Sequence, residues 1–157
     1  MFSSLQFKPL PEFHKIYETI GEEIARDNFK VVYKCKTKAQ MAAEKYYAVK
    51  ILDQSHSIFD LAEGFNEALV QARMVEPHPN ILCFKEIYVS QEENAFTKNH
   101  MLQCAFLMEY CDSTLGSFIK ERCPDKAPYL EFSDAEVTDM LIQTLTGFSY
   151  LTNGKYL

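Results

Sequence analysis

The spacing of apolar and polar residues is typical of strands at the start of the chain and of helices at its end. Residues 17–24, 29–36 and 46–52 are short apolar runs separated by polar links. Three strands joined in this way predict an antiparallel meander. Residues 58–75 then favour a helix, which Pro77 ends. Two further strands are predicted at residues 81–89 and 101–108.

Helical signals dominate after Tyr110. Residues 114–122 predict a short helix, and Ser133 followed by Glu136 is a capping box that starts a longer one. The longer helix is expected to run to about Thr152. Its apolar face consists of Val137, Leu141, Leu145 and Phe148. Because strands come first and helices follow, the predicted fold class is α+β.

One lysine stands inside the apolar run Tyr-Tyr-Ala-Val-Lys-Ile-Leu at residues 46–52. Alternation along a strand places Ala48 and Lys50 on the same face. Burying an unpaired ammonium group is costly, so Lys50 is expected to hold an anion or a carboxylate. Glu63 and Glu67 share one face of the following helix, since they are four residues apart. The residues alone leave open a structural ion pair, or a side chain that reaches back to water.

The composition argues against several classes of protein. Of the 157 residues, 47% are apolar and 24% are charged, which is typical of a folded globular domain. The formal net charge of -6 argues against nonspecific binding to nucleic acid or anionic membranes, and no apolar run has transmembrane length. The five cysteines are odd in number and lack metal-ligand spacing. We therefore expect reduced thiols, no metal site, and a cytoplasmic or nuclear location.

Four motifs, in this order along the chain, resemble those of the eukaryotic protein kinases. Ala48-Val49-Lys50 is similar to the end of the Val-Ala-Ile-Lys strand motif. Residues 78–82 (His-Pro-Asn-Ile-Leu) resemble the segment between the following helix and the fourth strand, and residues 106–111 (Phe-Leu-Met-Glu-Tyr-Cys) resemble the fifth strand and hinge. Residues 147–151 (Gly-Phe-Ser-Tyr-Leu) resemble the end of the long helix before the catalytic loop. The resemblance spans residues 17–157.

The resemblance implies a fold in two parts. Residues 17–110 would form a kinase-like N-lobe, a five-stranded antiparallel sheet with one main helix. Residues 111–157 would form the hinge and the first helices of an incomplete α-helical C-lobe. Residues 1–16 are expected to be a loosely held lead-in, because Pro9 and Pro11 discourage regular structure there.

The resemblance also implies a site for ATP with Mg²⁺. Lys50 would hold the α- and β-phosphates, and Glu67 would orient Lys50. Glu67 is preferred to Glu63 because its distances along the chain fit the family better. Ala48 is small enough to leave room for adenine.

Further contacts to the nucleotide follow from the same resemblance. Met108 would be the gatekeeper, and the backbone of Glu109 and Cys111 would hydrogen-bond the adenine edge. Ala25 and Val32 would stand at the first glycine and at the valine of the phosphate-binding loop.

The phosphate-binding loop departs from the family pattern. Ala25, Asp27 and Lys30 replace its three glycines, so the backbone has less freedom to approach phosphates. Asp27 would also bring a carboxylate near them, which Arg26 and Lys30 are expected to offset in part. An ordinary β-turn with solvated charges is the alternative for this segment.

The sequence contains neither a His-Arg-Asp nor an Asp-Phe-Gly segment, which in this family supply the catalytic base and a metal ligand. We therefore expect the nucleotide-binding part of an ATP-dependent protein kinase, a fragment or truncated product that does not itself transfer phosphoryl groups. The alternative is a kinase-like pseudoenzyme that acts as a protein-binding or scaffold module. The expected partners are ATP and a protein substrate or partner, with neither nucleic acid nor membrane.

Overall fold

The strands and helices are seen in a computed structural model that describes residues 7–27, 30–39, 45–53, 62, 66, 78–82, 84–93, 100–123 and 132–153. The strands are β1 (Phe7–Pro9), β2 (Tyr17–Asp27), β3 (Lys30–Thr37), β4 (Tyr46–Asp53), β5 (Phe84–Glu93) and β6 (His100–Glu109). The helices are α1 (Leu10–Ile16), α2 (Leu115–Arg122) and α3 (Asp134–Thr152). Of the helix predicted at residues 58–75, only Ala62 and Asn66 are described, and both have helical backbone.

The six described strands form one mixed sheet in the order β1-β5-β6-β4-β3-β2. β2, β3 and β4 pair in succession as antiparallel neighbours, so the predicted meander is confirmed. β6 pairs antiparallel with both β4 and β5. These five strands, followed by helices, confirm the α+β class and the kinase-like N-lobe. The sheet differs from the expected one in β1, which adds a sixth strand parallel to β5.

The segment that forms β1 and α1 is regular, contrary to the expectation that its prolines would discourage regular structure. Pro9 ends a short edge strand, and Pro11 lies in the first turn of α1. At both positions the missing N–H costs little. Phe13 of α1 is 1% exposed, and its ring centroid lies 5.4 Å from that of Tyr88 on β5. Burial of this aromatic ring stabilises the segment on the sheet. The expectation for residues 1–6 lies outside the described residues.

A carboxylate on β5 joins this segment to the sheet. Glu86 accepts hydrogen bonds from Lys8, from the Tyr88 hydroxyl, and from the Tyr17 hydroxyl at 3.4 Å. Burial raises the pKa of Glu86, but the hydrogen bonds and the charge of Lys8 outweigh it, so that pKa lies below its usual value. Burial, together with the Glu86 carboxylate, raises the pKa of both tyrosine hydroxyls. Both hydroxyls are therefore neutral donors to Glu86.

The two faces of the sheet bury two separate apolar clusters. The cluster on what we call the inner face contains Ala48, Leu52, Phe84, Ile87, Cys104, Phe106 and Met108. The cluster on the outer face contains Phe13, Tyr17, Cys35, Val49, Tyr88, Ala105 and Leu107. Ala48 and Val49 thus lie on opposite faces, which confirms the predicted alternation along β4. Because Phe13 belongs to the outer cluster, α1 covers the outer face.

The strands and α1 form one compact unit, and residues 78–82, α2 and α3 belong to a second. At the start of α3, the Ser133 hydroxyl accepts a hydrogen bond from the Glu136 backbone N–H at 3.3 Å. The Glu136 carboxylate accepts one from the Ser133 backbone N–H at 2.9 Å, so the predicted capping box is confirmed. Arg122 of α2 also donates to Glu136, at 2.6 Å. These hydrogen bonds lower the pKa of Glu136 to about 2, and the bond from the Ser133 backbone has the largest effect.

The apolar face predicted for α3 is exposed to solvent. The exposed fractions are 42% for Val137, 57% for Leu141, 62% for Leu145 and 62% for Phe148. Gly147 of the same helix is buried. Among the described residues, no helix combines the length and apolar character needed to cross a bilayer.

Candidate functional site

One row of residues crosses the sheet through Lys50. In the backbone register, Lys50 of β4 lies opposite Val32 of β3 and Phe106 of β6. Val32 lies opposite Ala25 of β2, and Phe106 lies opposite Ile87 of β5. Residues opposite one another in neighbouring strands point to the same face. Lys50 is therefore half-buried on the inner face, as the charged member of an otherwise apolar row.

A second row, two residues further along the strands, contains Ala48. Ala48 lies opposite Met108 of β6 and Lys34 of β3. Ala48 and Met108 are each 7% exposed. The methyl group of Ala48 takes up little space over the sheet, so a flat ring could lie there. Five of the predicted nucleotide contacts thus share the inner face, namely Ala25, Val32, Ala48, Lys50 and Met108.

The remaining predicted contacts are not brought together by the described residues. Glu67 lies outside them, as does Glu63, so the pairing of Lys50 with Glu67 stays a prediction. Glu109 is exposed at the end of β6, opposite Tyr47. Cys111 is also exposed. The backbone contacts of Glu109 and Cys111 to adenine stay predictions as well.

The β2–β3 hairpin stands where the phosphate-binding loop was predicted. Its two strands remain paired up to Asp27 and Lys30. Lys30 shares the inner face with Val32, whereas Arg26 lies on the outer face. There Arg26 donates hydrogen bonds to Glu23 at 3.0, 2.9 and 2.6 Å, which lower the pKa of that carboxyl group. The expectation that Arg26 offsets the charge of Asp27 near phosphates is therefore wrong, and Lys30 is left for that role.

A family model described as protein tyrosine and serine/threonine kinase matches residues 19–157. The chain belongs to the protein kinase family. None of the curated proteins compared with it matches.

The kinase family uses ATP with Mg²⁺, and the inner face suits part of that ligand. The small, buried Ala48 beside Met108 fits an adenine ring, and Lys50 in the next row fits a phosphate. No cluster of three or more His, Cys, Asp or Glu residues that could hold a metal ion occurs in the described part of the kinase chain. We therefore assign no Mg²⁺ ligand to these residues.

Sequence reasoning missed a cation that this kinase chain holds between two tyrosine rings. The Lys34 ammonium nitrogen lies 3.9 Å from the ring centroid of Tyr46 and 4.3 Å from that of Tyr110. The two ring centroids are 6.4 Å apart. This arrangement joins β3, β4 and the residue after β6 at one end of the inner face. Its only signal in the sequence is the spacing of Lys34 from Val32, which puts both on one face.

Two of the kinase motifs contact each other in the second unit. The rings of His78 and Tyr150 stack with centroids 4.7 Å apart. The Asn80 side-chain amide donates to the Thr146 hydroxyl at 2.7 Å. A Cβ atom added to Gly147 would lie 2.9 Å from the Asn80 carbonyl oxygen. The His-Pro-Asn turn therefore packs directly on α3, and this contact needs glycine.

Proposed function

We propose that this chain is the nucleotide-binding part of an ATP-dependent protein kinase. The observation that carries the proposal is the register of the sheet, in which Ala48 and Lys50 occupy adjacent rows of one face. Adenine lies against Ala48 and Met108, and the α- and β-phosphates lie near Lys50. Val32 and Ala25 cover the nucleotide from β3 and β2. The order of these residues on the face agrees with the order of base and phosphates in ATP.

Residues beyond this face complete the proposed site. Glu67 orients Lys50 by an ion pair, as in active kinases. The backbone groups of Glu109 and Cys111 hydrogen-bond the adenine edge. Since the 157 residues include neither His-Arg-Asp nor Asp-Phe-Gly, the polypeptide binds nucleotide without transferring its phosphoryl group.

A second candidate function is that of a kinase-like pseudoenzyme, a protein-binding or scaffold module without nucleotide. The hairpin favours it, because Ala25, Asp27 and Lys30 each carry a Cβ where the family has glycine. Asp27 also adds negative charge at the phosphate end. If the chain is such a module, Lys50 contributes to the stability of the fold and binds no phosphate.

Titration of the 157-residue chain with Mg-ATP separates the two functions. A ligand that binds the native state and not the unfolded one raises the unfolding temperature, and the rise grows with ligand concentration relative to the dissociation constant. On the first function, millimolar Mg-ATP raises that temperature, and Lys50→Ala removes most of the rise. Lys36→Ala is the matched control, because Lys36 lies on the neighbouring strand and contacts Glu18 at 3.7 Å. The absence of a rise, or an equal rise in Lys50→Ala, would contradict nucleotide binding and support the scaffold function.

A further inference from the structure

The strand β3 carries an uneven distribution of charge between its two faces. By register, the side chains of Lys30, Lys34 and Lys36 all lie on the inner face with Val32. The outer-face positions of the same strand are Val31, Tyr33, Cys35 and Thr37. β3 therefore presents three cations to the same face on which Lys50 stands.

Two of these lysines are held at the end of the face that carries Ala48. Lys34 lies between the rings of Tyr46 and Tyr110. Lys36 contacts the Glu18 carboxylate at 3.7 Å. Both contacts lie toward the end of β3 that is away from the hairpin, so neither lysine accounts for phosphate binding at the hairpin end.

Lys30 stands at the hairpin end, beside Lys50. Lys30 lies opposite Leu52, and Lys50 is two residues before Leu52 on the same strand. The two lysines are therefore diagonal neighbours on adjacent strands, a relationship that brings residues within about 7–8 Å of each other. Long side chains can reach a common point across that distance. Both residues are half-buried, and the apolar Val32 is next to both of them, since it lies directly opposite Lys50 and two residues after Lys30 on β3.

We propose that Lys30 is a second phosphate-binding residue, which with Lys50 grips the phosphate chain of a nucleotide between two cations. Lys30 replaces the third glycine of the family loop, where the backbone itself normally approaches the phosphates. Its Cβ restricts that approach, and its ammonium group supplies a charge-assisted hydrogen bond instead. Phosphate recognition has thus moved from backbone N–H groups to a side chain. This inference rests on the proposed nucleotide function.

Isothermal titration of the 157-residue chain with adenosine and with ADP tests the inference, because the two ligands differ by the phosphates alone. Lys30→Gln and Lys50→Gln should each weaken ADP binding roughly tenfold, the effect of one charge-assisted hydrogen bond. Adenosine should bind all variants equally. Lys36→Gln, which removes the same charge from the same strand and face, should leave both affinities unchanged.

Two further substitutions at residue 30 distinguish the effect of the positive charge from the effect of side-chain size. Lys30→Arg should retain ADP affinity, and Lys30→Gly, which restores the family residue, should lose it. Equal ADP affinity in Lys30→Gln and the unchanged chain, or tighter ADP binding by Lys30→Gly, overturns the inference while the proposed function stands. Failure of the unchanged chain to bind either ligand overturns the proposed function and this inference with it. Circular dichroism of each variant establishes that it is folded.

Discussion

The His78 ring stacks on the Tyr150 ring, with centroids 4.7 Å apart and ring planes 28° from parallel. The two residues are 72 positions apart in the sequence, and each belongs to a different kinase motif. Neither His78 nor Tyr150 belongs to a predicted apolar run or to the apolar face predicted for α3, so neither is assigned to a core by pattern alone. Their contact instead gives each motif a structural role in the second unit, on a helix whose other face is exposed.

The energy of this stack is measurable by a double-mutant cycle. His78→Ala and Tyr150→Ala should show a coupling energy of about 0.5–1.5 kcal/mol in the free energy of unfolding, the usual value for an aromatic pair. Urea unfolding followed by circular dichroism gives that energy. His78→Ala with Val137→Ala is the control, because Val137 lies about 20 Å from Tyr150 along α3 and should be additive. Coupling below the error of the cycle would show that the stack contributes nothing.

Gly147→Ala should destabilise the second unit. Its methyl group would lie 2.9 Å from the Asn80 carbonyl oxygen, a backbone atom that cannot rotate away. Overpacking of this kind costs about 1–3 kcal/mol, whereas alanine gains about 1 kcal/mol in a helix, so the expected net loss is about 1 kcal/mol. Gly116→Ala in α2 is the control, since the nearest atom to its added Cβ is 3.9 Å away. A Gly147→Ala chain as stable as Gly116→Ala, by thermal unfolding, would contradict the close contact.

Lys34→Met should lower stability because it removes the cation between Tyr46 and Tyr110. Methionine is chosen because it keeps the apolar part of the lysine side chain. A cation over an aromatic ring contributes about 0.5–1 kcal/mol at exposed sites, so two rings predict a loss of about 1 kcal/mol. Lys36→Met removes only an exposed pair with Glu18 and should lose less. Thermal unfolding of both variants measures the difference. Equal losses would mean that the two rings do not stabilise the Lys34 charge.

Glu136 should make the start of α3 sensitive to acid. Its pKa is about 2 in the folded chain, below its ordinary value of about 4.3 when unfolded. The carboxylate therefore stabilises the fold above the unfolded pKa, and this contribution is lost as pH falls from there to about 2. Glu136→Gln keeps a capping-box residue type but does not titrate, so its helical circular dichroism should change less over that interval. The carboxyl shift in an NMR titration of the unchanged chain gives the pKa directly, and an ordinary value there would refute the prediction.

The local pattern predicted those parts of the structure that depend on near neighbours in sequence. The alternation around Lys50 predicted which residues share the inner face, and the Ser133–Glu136 spacing predicted the start of α3. Both features follow from strand and helix periods alone.

The features that the sequence did not predict depend on distant partners. Pro9 and Pro11 predicted irregular structure, but they stand where a proline is tolerated, and contact of the buried Phe13 ring with Tyr88 stabilises the segment. The sequence predicted that Arg26 lies near the phosphates. The pairing of β2 with β3 instead places Arg26 on the outer face, where it contacts Glu23. Lys34 could not be linked to Tyr110 by any spacing, since they are 76 positions apart.

The parallel strand β1 has a practical consequence for anyone who chooses where to cut this protein for expression. The family match begins at residue 19, but the described part of the sheet already includes Phe7. A recombinant chain trimmed to the match would lose β1, Phe13 and the Lys8 partner of Glu86. β5 would then become an edge strand with unpaired backbone groups, next to an uncovered apolar cluster. Such edges recruit strands from other molecules, so the shorter chain should precipitate where the longer one stays dispersed.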